Sequence, residues 1–366
     1  MPRPRLIVVG PVPPPVHGVT VSTELVLGNA VLREVFDVQH LDTSDHRSGA
    51  NLGRWDAANI ALAVRSLARL AALLRGPPGT VYLPISQSAA AFLRDSLLIR
   101  LAVLRGWRVA IHLRGSEFAA LYAGSRRASR AWMRSTLSRV TSAAVMGESL
   151  LGAFGPLVPA DRVVVVPNGT PPSTINGVAR EPLQVLFLSN LRRRKGVIEA
   201  VEAALRTLRA VPGSRFVFAG SWEDDVLRQH VERLCIGNAD RIDFRDELTG
   251  DAKSRLLASS SVLLFPPREP EGHPRVVLEA LAAGLPVVTT NRGAIAETVE
   301  DGVSGYVLPD PDPESLANHV SLLLTNDDLC RRMSEAARTR YEDRFTQEIA
   351  DERLATWLRS VSGEAQ

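Results

Sequence analysis

Short runs of aliphatic and β-branched residues alternate with longer stretches of helical periodicity along this chain. In the first half the pattern predicts strands at Arg5–Gly10, Val35–Leu41, Thr80–Leu83, Arg108–Leu113, Ala143–Met146 and Arg162–Val166. The clearest helical stretches between them are Trp55–Leu74 and Ala89–Leu104. In the second half, strands are predicted at Gln184–Ser189, Ser214–Ala219, Arg241–Phe244, Val262–Phe265, Pro286–Thr289 and Gly305–Leu308, with helices from Asp312 onward. Strand–helix–strand order repeated in this way implies parallel sheets with right-handed crossovers.

The alternation is interrupted once. Pro167–Pro182 is crowded with proline, glycine and asparagine and reads as an interdomain linker. The expected fold class is therefore α/β: two Rossmann-like, doubly wound parallel-sheet domains facing a cleft. The expected boundaries are 1–170 and 180–345, with a final helix over 346–366 packing back on the first domain. A chain of 366 residues suits two such cores better than one. In folds of this kind ligands gather at the carboxyl ends of the strands.

Composition sharpens the picture. Hydrophobic residues make up 45% and charged residues 23%, which excludes a disordered chain. Cys235 and Cys330 are too few for a disulfide framework and fit a reducing compartment. The apolar run after the first residues is too short for a secretory signal, and no stretch of about 18 uninterrupted apolar residues occurs. The expected location is cytoplasmic, with peripheral contact at the inner membrane face as a further expectation. The net charge of +3 conceals an asymmetry: residues 1–180 carry 20 Arg, no Lys and 10 acidic residues, for +10, and the remainder carries −7. Arg126–Arg139 reads as a basic helix with Trp132, Met133 and Leu137, suited to weak contact with an anionic membrane. Nucleic acid is not among the expected partners.

The most informative segment is Glu269-Pro-Glu-Gly-His-Pro-Arg-Val-Val-Leu-Glu279, where a buried strand meets a proline-rich loop and then a helix beginning near Pro274. A helix start offers N–H groups and partial positive charge to a diphosphate. Glu271 and Glu279, separated by seven residues, flank it. One carboxylate can meet a hexose and the other a ribose, since each accepts two hydrogen bonds from vicinal hydroxyls.

This segment, with Ala282-Ala-Gly-Leu-Pro-Val-Val288, Gly293-Ala-Ile-Ala-Glu297 and Val166-Pro-Asn-Gly169, resembles the retaining glycosyltransferase family numbered four, also called glycosyl transferases group 1, with the GT-B fold. The resemblance covers most of the chain. It implies that Glu271 contacts the donor sugar and acts in catalysis, that Glu279 contacts the donor ribose, and that Gly272 and His273, Pro274, Arg275 and Val276 line the donor through backbone N–H groups. In Phe187–Gly196, Lys195 matches the family lysine for the diphosphate; Asn190 stands where an arginine is commoner, and Arg192, Arg193 or Arg194 are open as its substitute. Gly18 matches a glycine that approaches the diphosphate from the first domain, and His17 stands where another glycine is frequent. His112 is expected to touch the transferring sugar. Arg114, where family members often have histidine, is expected with His17 on the acceptor side.

The resemblance implies transfer of a sugar from a nucleotide-sugar donor to a glycan or lipid-linked acceptor, with retention of configuration. No cofactor and no metal are expected, because Lys195 and the helix start can meet the leaving diphosphate. Neither His40-Leu-Asp-Thr-Ser-Asp-His46 nor Asp310-Pro-Asp312 has the spacing or setting of a metal site. A nucleotide-sugar epimerase of the same fold and a non-catalytic nucleotide-sugar binding protein are the alternatives; the first would act without an acceptor, the second would carry a broken donor site.

Overall fold

The computed structural model describes residues 3–15, 18–45, 57–173, 175 and 178–363. These divide into two units. The first takes residues 1–167 and 348–366, and the second takes 168–347.

In the first unit six parallel strands stand in the order β2-β1-β3-β4-β5-β6. They are β1 (Arg5–Gly10), β2 (Asp37–Asp42), β3 (Thr80–Pro84), β4 (Arg108–His112), β5 (Ser142–Val145) and β6 (Val163–Val165). The helices of this unit are α1 (Gly18–Gly28), α2 (Ala30–Val35), α3 (Ala57–Leu73), α4 (Ala89–Leu104), α5 (Phe118–Gly124) and α6 (Arg127–Leu137), joined by the C-terminal α14 (Gln347–Ser362). The sheet is buried on both faces, which is why its strands read as continuous apolar runs rather than alternating ones. On one face Ile7, Val9, Val81, Leu83, Val109 and Ile111 pack with α3, α4 and α6. On the other, Leu6, Val8, Tyr82 and Ala110 pack with Leu354, Ala355, Trp357, Leu358 and Val361 of α14. The order of strands reverses between β1 and β3, so their carboxyl ends flank this unit's crevice.

In the second unit the order is β12-β11-β10-β7-β8-β9, again all parallel. Its strands are β7 (Gln184–Leu188), β8 (Arg215–Ala219), β9 (Ile242–Arg245), β10 (Val262–Phe265), β11 (Val287–Thr290) and β12 (Gly305–Leu308). Its helices are α7 (Val197–Ala210), α8 (Asp225–Leu234), α9 (Gly250–Ser259), α10 (Arg275–Ala282), α11 (Ile295–Thr298), α12 (Pro313–Thr325) and α13 (Asp327–Arg344). Counted within the unit, this is the dinucleotide-fold order 3-2-1-4-5-6, with its reversal between β7 and β10.

The segment read as a linker is anchored to the second unit. Arg180 donates to the Ser334 hydroxyl and to the carbonyls of Ala283 and Gly284. The Glu181 N–H donates to the Ser259 carbonyl, and the Thr170 N–H to that of Phe345.

Candidate donor site in the second unit

The topology brings the two chemically loaded loops together. β7 ends into Ser189–Lys195 and β10 ends into Pro266–Pro274, and these strands are neighbours at the reversal point. Lys195 and Glu271 meet there, with Nζ 2.6 Å from Glu271 Oε1. Both side chains are partly covered, at 17% and 15% exposure. A charge-assisted hydrogen bond at this distance limits the rotamers of both side chains.

The backbone that sets this pair depends on Gly196. It has φ +75°, a left-handed conformation, and a Cβ there would sit 1.9 Å from the Pro266 carbonyl oxygen. Only glycine satisfies both demands. Arg193 donates its N–H to Glu223, and the Arg194 carbonyl accepts from the Arg268 N–H, so the basic turn is tied to both neighbouring loops. Asn190 does not reach toward charge; its Oδ1 accepts from the Ser221 hydroxyl at 3.2 Å. Of the three arginines, Arg193 is exposed while Arg192 and Arg194 are half-buried.

α10 begins at Arg275, with Pro274 in the capping position and no side-chain cap. Pro274 has no N–H, so the expected donor ladder of 273–276 is interrupted there. The loop before the helix is held from outside. The Asn168 N–H donates to His273 Nδ1 at 3.0 Å, and Asn168 Nδ2 donates to the His273 carbonyl at 2.9 Å. The His273 ring is buried and lies edge-on to Phe345. Arg275 Nη1 donates to the Gly169 carbonyl at 3.1 Å. Asn168 and Gly169, from the segment singled out in the sequence as an entry segment, thus splint the helix start. Gly272 is buried, and its carbonyl accepts from the Ala294 N–H. Gly293, at φ +61°, lies so close that a Cβ there would be 1.6 Å from the Glu271 carbonyl oxygen.

Glu279 lies on α10 between buried Leu278 and Ala280, with its own side chain 21% exposed. It is paired with Lys253 of α9, whose Nζ stands 2.7 Å from both carboxylate oxygens and hydrogen-bonds Oε1. Sequence reading missed Lys253: it lies 26 positions from its partner, outside any local motif. One signal was available, since Lys195 and Lys253 are the only lysines among 43 basic residues.

In the first unit, His112 departs from the expected sugar contact. Its ring is fully buried at the end of β4, edge-on to Tyr82 and Trp357. Nδ1 is 3.2 Å from the Tyr82 hydroxyl and Nε2 is 3.1 Å from the Val166 carbonyl. Both ring nitrogens are engaged, so none is offered to a ligand. Burial, with the neighbouring Arg114 guanidinium second, pushes its pKa well below the usual 6.5, against the bond to Val166. The neutral ring therefore donates from Nε2 and accepts at Nδ1 from Tyr82, whose oxygen accepts from Arg114 Nη2 at 2.8 Å. Arg114 itself is half-exposed. Gly18 opens α1 on the surface, and a Cβ there would meet nothing within 4 Å, so close packing does not explain this glycine. His17 lies outside the described residues. His40 bonds the Gly10 carbonyl, and among the described residues no group of three or more His, Cys, Asp or Glu is placed to hold a metal.

The geometry can be compared with known proteins. The family model for glycosyl transferases group 1 matches residues 173–340, which carry Lys195, Lys253, Glu271 and Glu279. The chain is 30% identical over 247 residues to a glycogen synthase of Mycobacterium tuberculosis, covering 64% of this chain. It spans 57% of that relative's length. Among solved structures, a glycosyltransferase of Rickettsia africae superposes with a TM-score of 0.78 at 15% identity, over 99% of this chain and 100% of that one. The Anabaena protein HepE, solved with UDP and glucose, superposes at 0.73 and 15% identity, over 98% and 100%. The fold of this chain is GT-B.

Proposed function

We propose that this protein transfers a sugar from a nucleotide-sugar donor to a glycan or lipid-linked acceptor, with retention of anomeric configuration and without a metal. One observation carries the reading: the two signature carboxylates flank the start of α10, and each is met by one of the chain's two lysines. The donor diphosphate lies at the start of α10 beside Lys195, where N–H groups, helix dipole and ammonium offset its charge as it leaves. Glu271 accepts from hydroxyls of the donor sugar and Glu279 from the ribose. Of the remaining cations, Arg192 and Arg194 are better held than Arg193 to supply the charge that Asn190 lacks. HepE, described with UDP and glucose, supports a nucleotide-sugar as the ligand class.

On the acceptor side, Arg114 is the side chain of the first unit best placed for an anionic or hydroxylated group. It is half-exposed, and the Tyr82–His112 pair behind it fixes one nitrogen. Activity is cytoplasmic in this reading, and the arginines of α6 hold the first unit near an anionic leaflet.

The test is a thermal-shift screen against UDP-, GDP-, ADP- and dTDP-sugars, followed by a transfer assay with the stabilising donor. A ligand that binds only the native state raises Tm. Sugar transfer should persist in excess EDTA. Abolition by EDTA with rescue by magnesium or manganese would overturn the metal-independent reading, and inversion at the anomeric carbon would overturn retention.

A further inference from the structure

The chain makes arginine its cation almost everywhere, with 41 arginines and two lysines. Ion pairs elsewhere in the second unit use arginine, as in Arg340–Glu300 and Arg292–Asp310. Both exceptions contact a signature carboxylate. Lys195 has a place in the reading above; Lys253 does not. It stands in the first turn of α9, on a different strand-to-strand connection from Glu279, and is not part of the spacing that defines the site. Its ammonium is 29% exposed and 2.7 Å from a carboxylate that is 21% exposed, so the pair lies where a ligand can reach it.

We infer that Lys253 is the positioning residue for Glu279, holding that carboxylate in the orientation that accepts the vicinal hydroxyls of the donor ribose. This rests on the reading of the second unit as the donor site. Three physical points carry it. Lys253 Nζ stands 2.7 Å from both carboxylate oxygens and hydrogen-bonds Oε1, so one ammonium sets the orientation of the whole carboxylate. The α10 backbone on either side is buried, so the Glu279 stem cannot swing freely, and the contact with Lys253 fixes the rest of the side chain. A diphosphate at the start of the same helix brings negative charge toward Glu279, and the ammonium paired with it offsets the repulsion. A planar guanidinium engages a carboxylate through two parallel bonds in one fixed plane, whereas an ammonium is a compact point charge with three rotatable donors. That difference accounts for lysine at this position in a chain otherwise built with arginine.

The experiment measures binding by isothermal titration with UDP, GDP and ADP, each paired with its 2′-deoxy form. In the wild type the nucleotide that binds should do so more tightly as the ribose form. In Lys253→Met, binding of the ribose form should weaken by about tenfold, as for a lost charge-assisted bond. The ratio of ribose to deoxyribose affinity should shrink toward one. Lys253→Arg should restore the melting temperature of the unliganded protein but not that ratio, which separates positioning from mere packing. In a Glu279→Gln background, Lys253→Met should add no further loss. If the wild type binds one of these nucleotides and Lys253→Met keeps an unchanged ribose-to-deoxyribose ratio, the inference is wrong while the donor-site reading stands. If the wild type binds dTDP alone, the vicinal-hydroxyl role is wrong; if it binds neither dTDP nor any of these three, the donor-site reading fails and this inference falls with it.

Discussion

At the scale of single residues, the site divides by how far along the chain its members were written. Glu271 and Glu279 were legible as candidates because both stand, eight positions apart, around one helix start. Lys195 was legible because it ends a strand-to-helix turn. Lys253 was not, and the partner of Asn168 was not, because in each case the two residues lie on separate elements that only folding brings together. We expect Glu271→Ala and Glu279→Ala each to cut transfer by roughly 10- to 100-fold, from about 1.5–3 kcal/mol per lost hydrogen bond to a charged group. The fold should survive, since both carboxylates are partly exposed; near-normal turnover of both variants with the true donor would defeat the assignment. His112 misled for a physical reason. A strand's carboxyl end is where such folds put working residues, but the side of the strand it faces is closed by Tyr82 and Trp357, the latter far along the chain. Its depressed pKa fixes a sign. The unfolded chain binds a proton near pH 6.5 and the folded chain does so only at lower pH, so stability is complete above about pH 6.5 and declines as the pH falls toward the folded value. The slope from this one group is at most about 1.4 kcal/mol per pH unit. Melting curves between pH 7.5 and 5 should fall more steeply for wild type than for His112→Gln, and parallel curves would contradict the buried neutral ring.

At the scale of elements, strands were the easiest features to read. In parallel sheets covered on both faces they are uninterrupted apolar runs, and β1, β10 and β12 begin and end where the pattern puts them. Helix orientation was harder. α6 looked like a helix with an apolar stripe for a membrane, yet Met133, Thr136 and Leu137 are buried in the first unit's core. Trp132 is half-covered: Arg100 lies 3.8 Å over its ring, and its Nε1 donates to the Ser96 hydroxyl. What α6 offers outward is charge, at Arg126, Arg127 and Arg134. The prediction follows that any binding to phosphatidylglycerol vesicles is electrostatic, with about 1 kcal/mol per arginine near the surface and a range of roughly 8 Å at physiological salt. Co-sedimentation at low salt should disappear at high salt, and also when these three arginines become serine. Binding that persists in high salt would mean that apolar insertion, and not the arginines of α6, anchors the protein.

At the scale of the whole molecule, the chain leaves the first unit at Pro167 and returns to it at Glu348, after the second unit is complete. The alternating pattern made two sheets visible in the sequence, but periodicity cannot say which sheet a terminal helix covers. The packing answers that. Leu354, Trp357 and Leu358 of α14 close one face of the first sheet, over Leu6, Val8 and Tyr82. Trp357 is 5% exposed, donates to the Ser142 hydroxyl at 2.9 Å and lies edge-on to both Tyr82 and His112. It therefore supports the hydrogen-bonded chain that leads to Arg114. Trp357→Ala should cost about 3–5 kcal/mol, the range for deleting a large buried aromatic side chain. Because the chain has two cores, a single melting temperature would blur the effect, and hydrogen exchange resolved along the sequence is the better measurement. Protection should fall in β1, β3 and β4, which lie under α14, and hold in β7 and β10, whose core contains no residue of that helix. Nucleotide binding to the second unit should be retained in the same variant while transfer to acceptor falls. Equal loss of protection in both sheets would show that the two cores unfold as one, and unchanged protection would show that α14 adds nothing to the first.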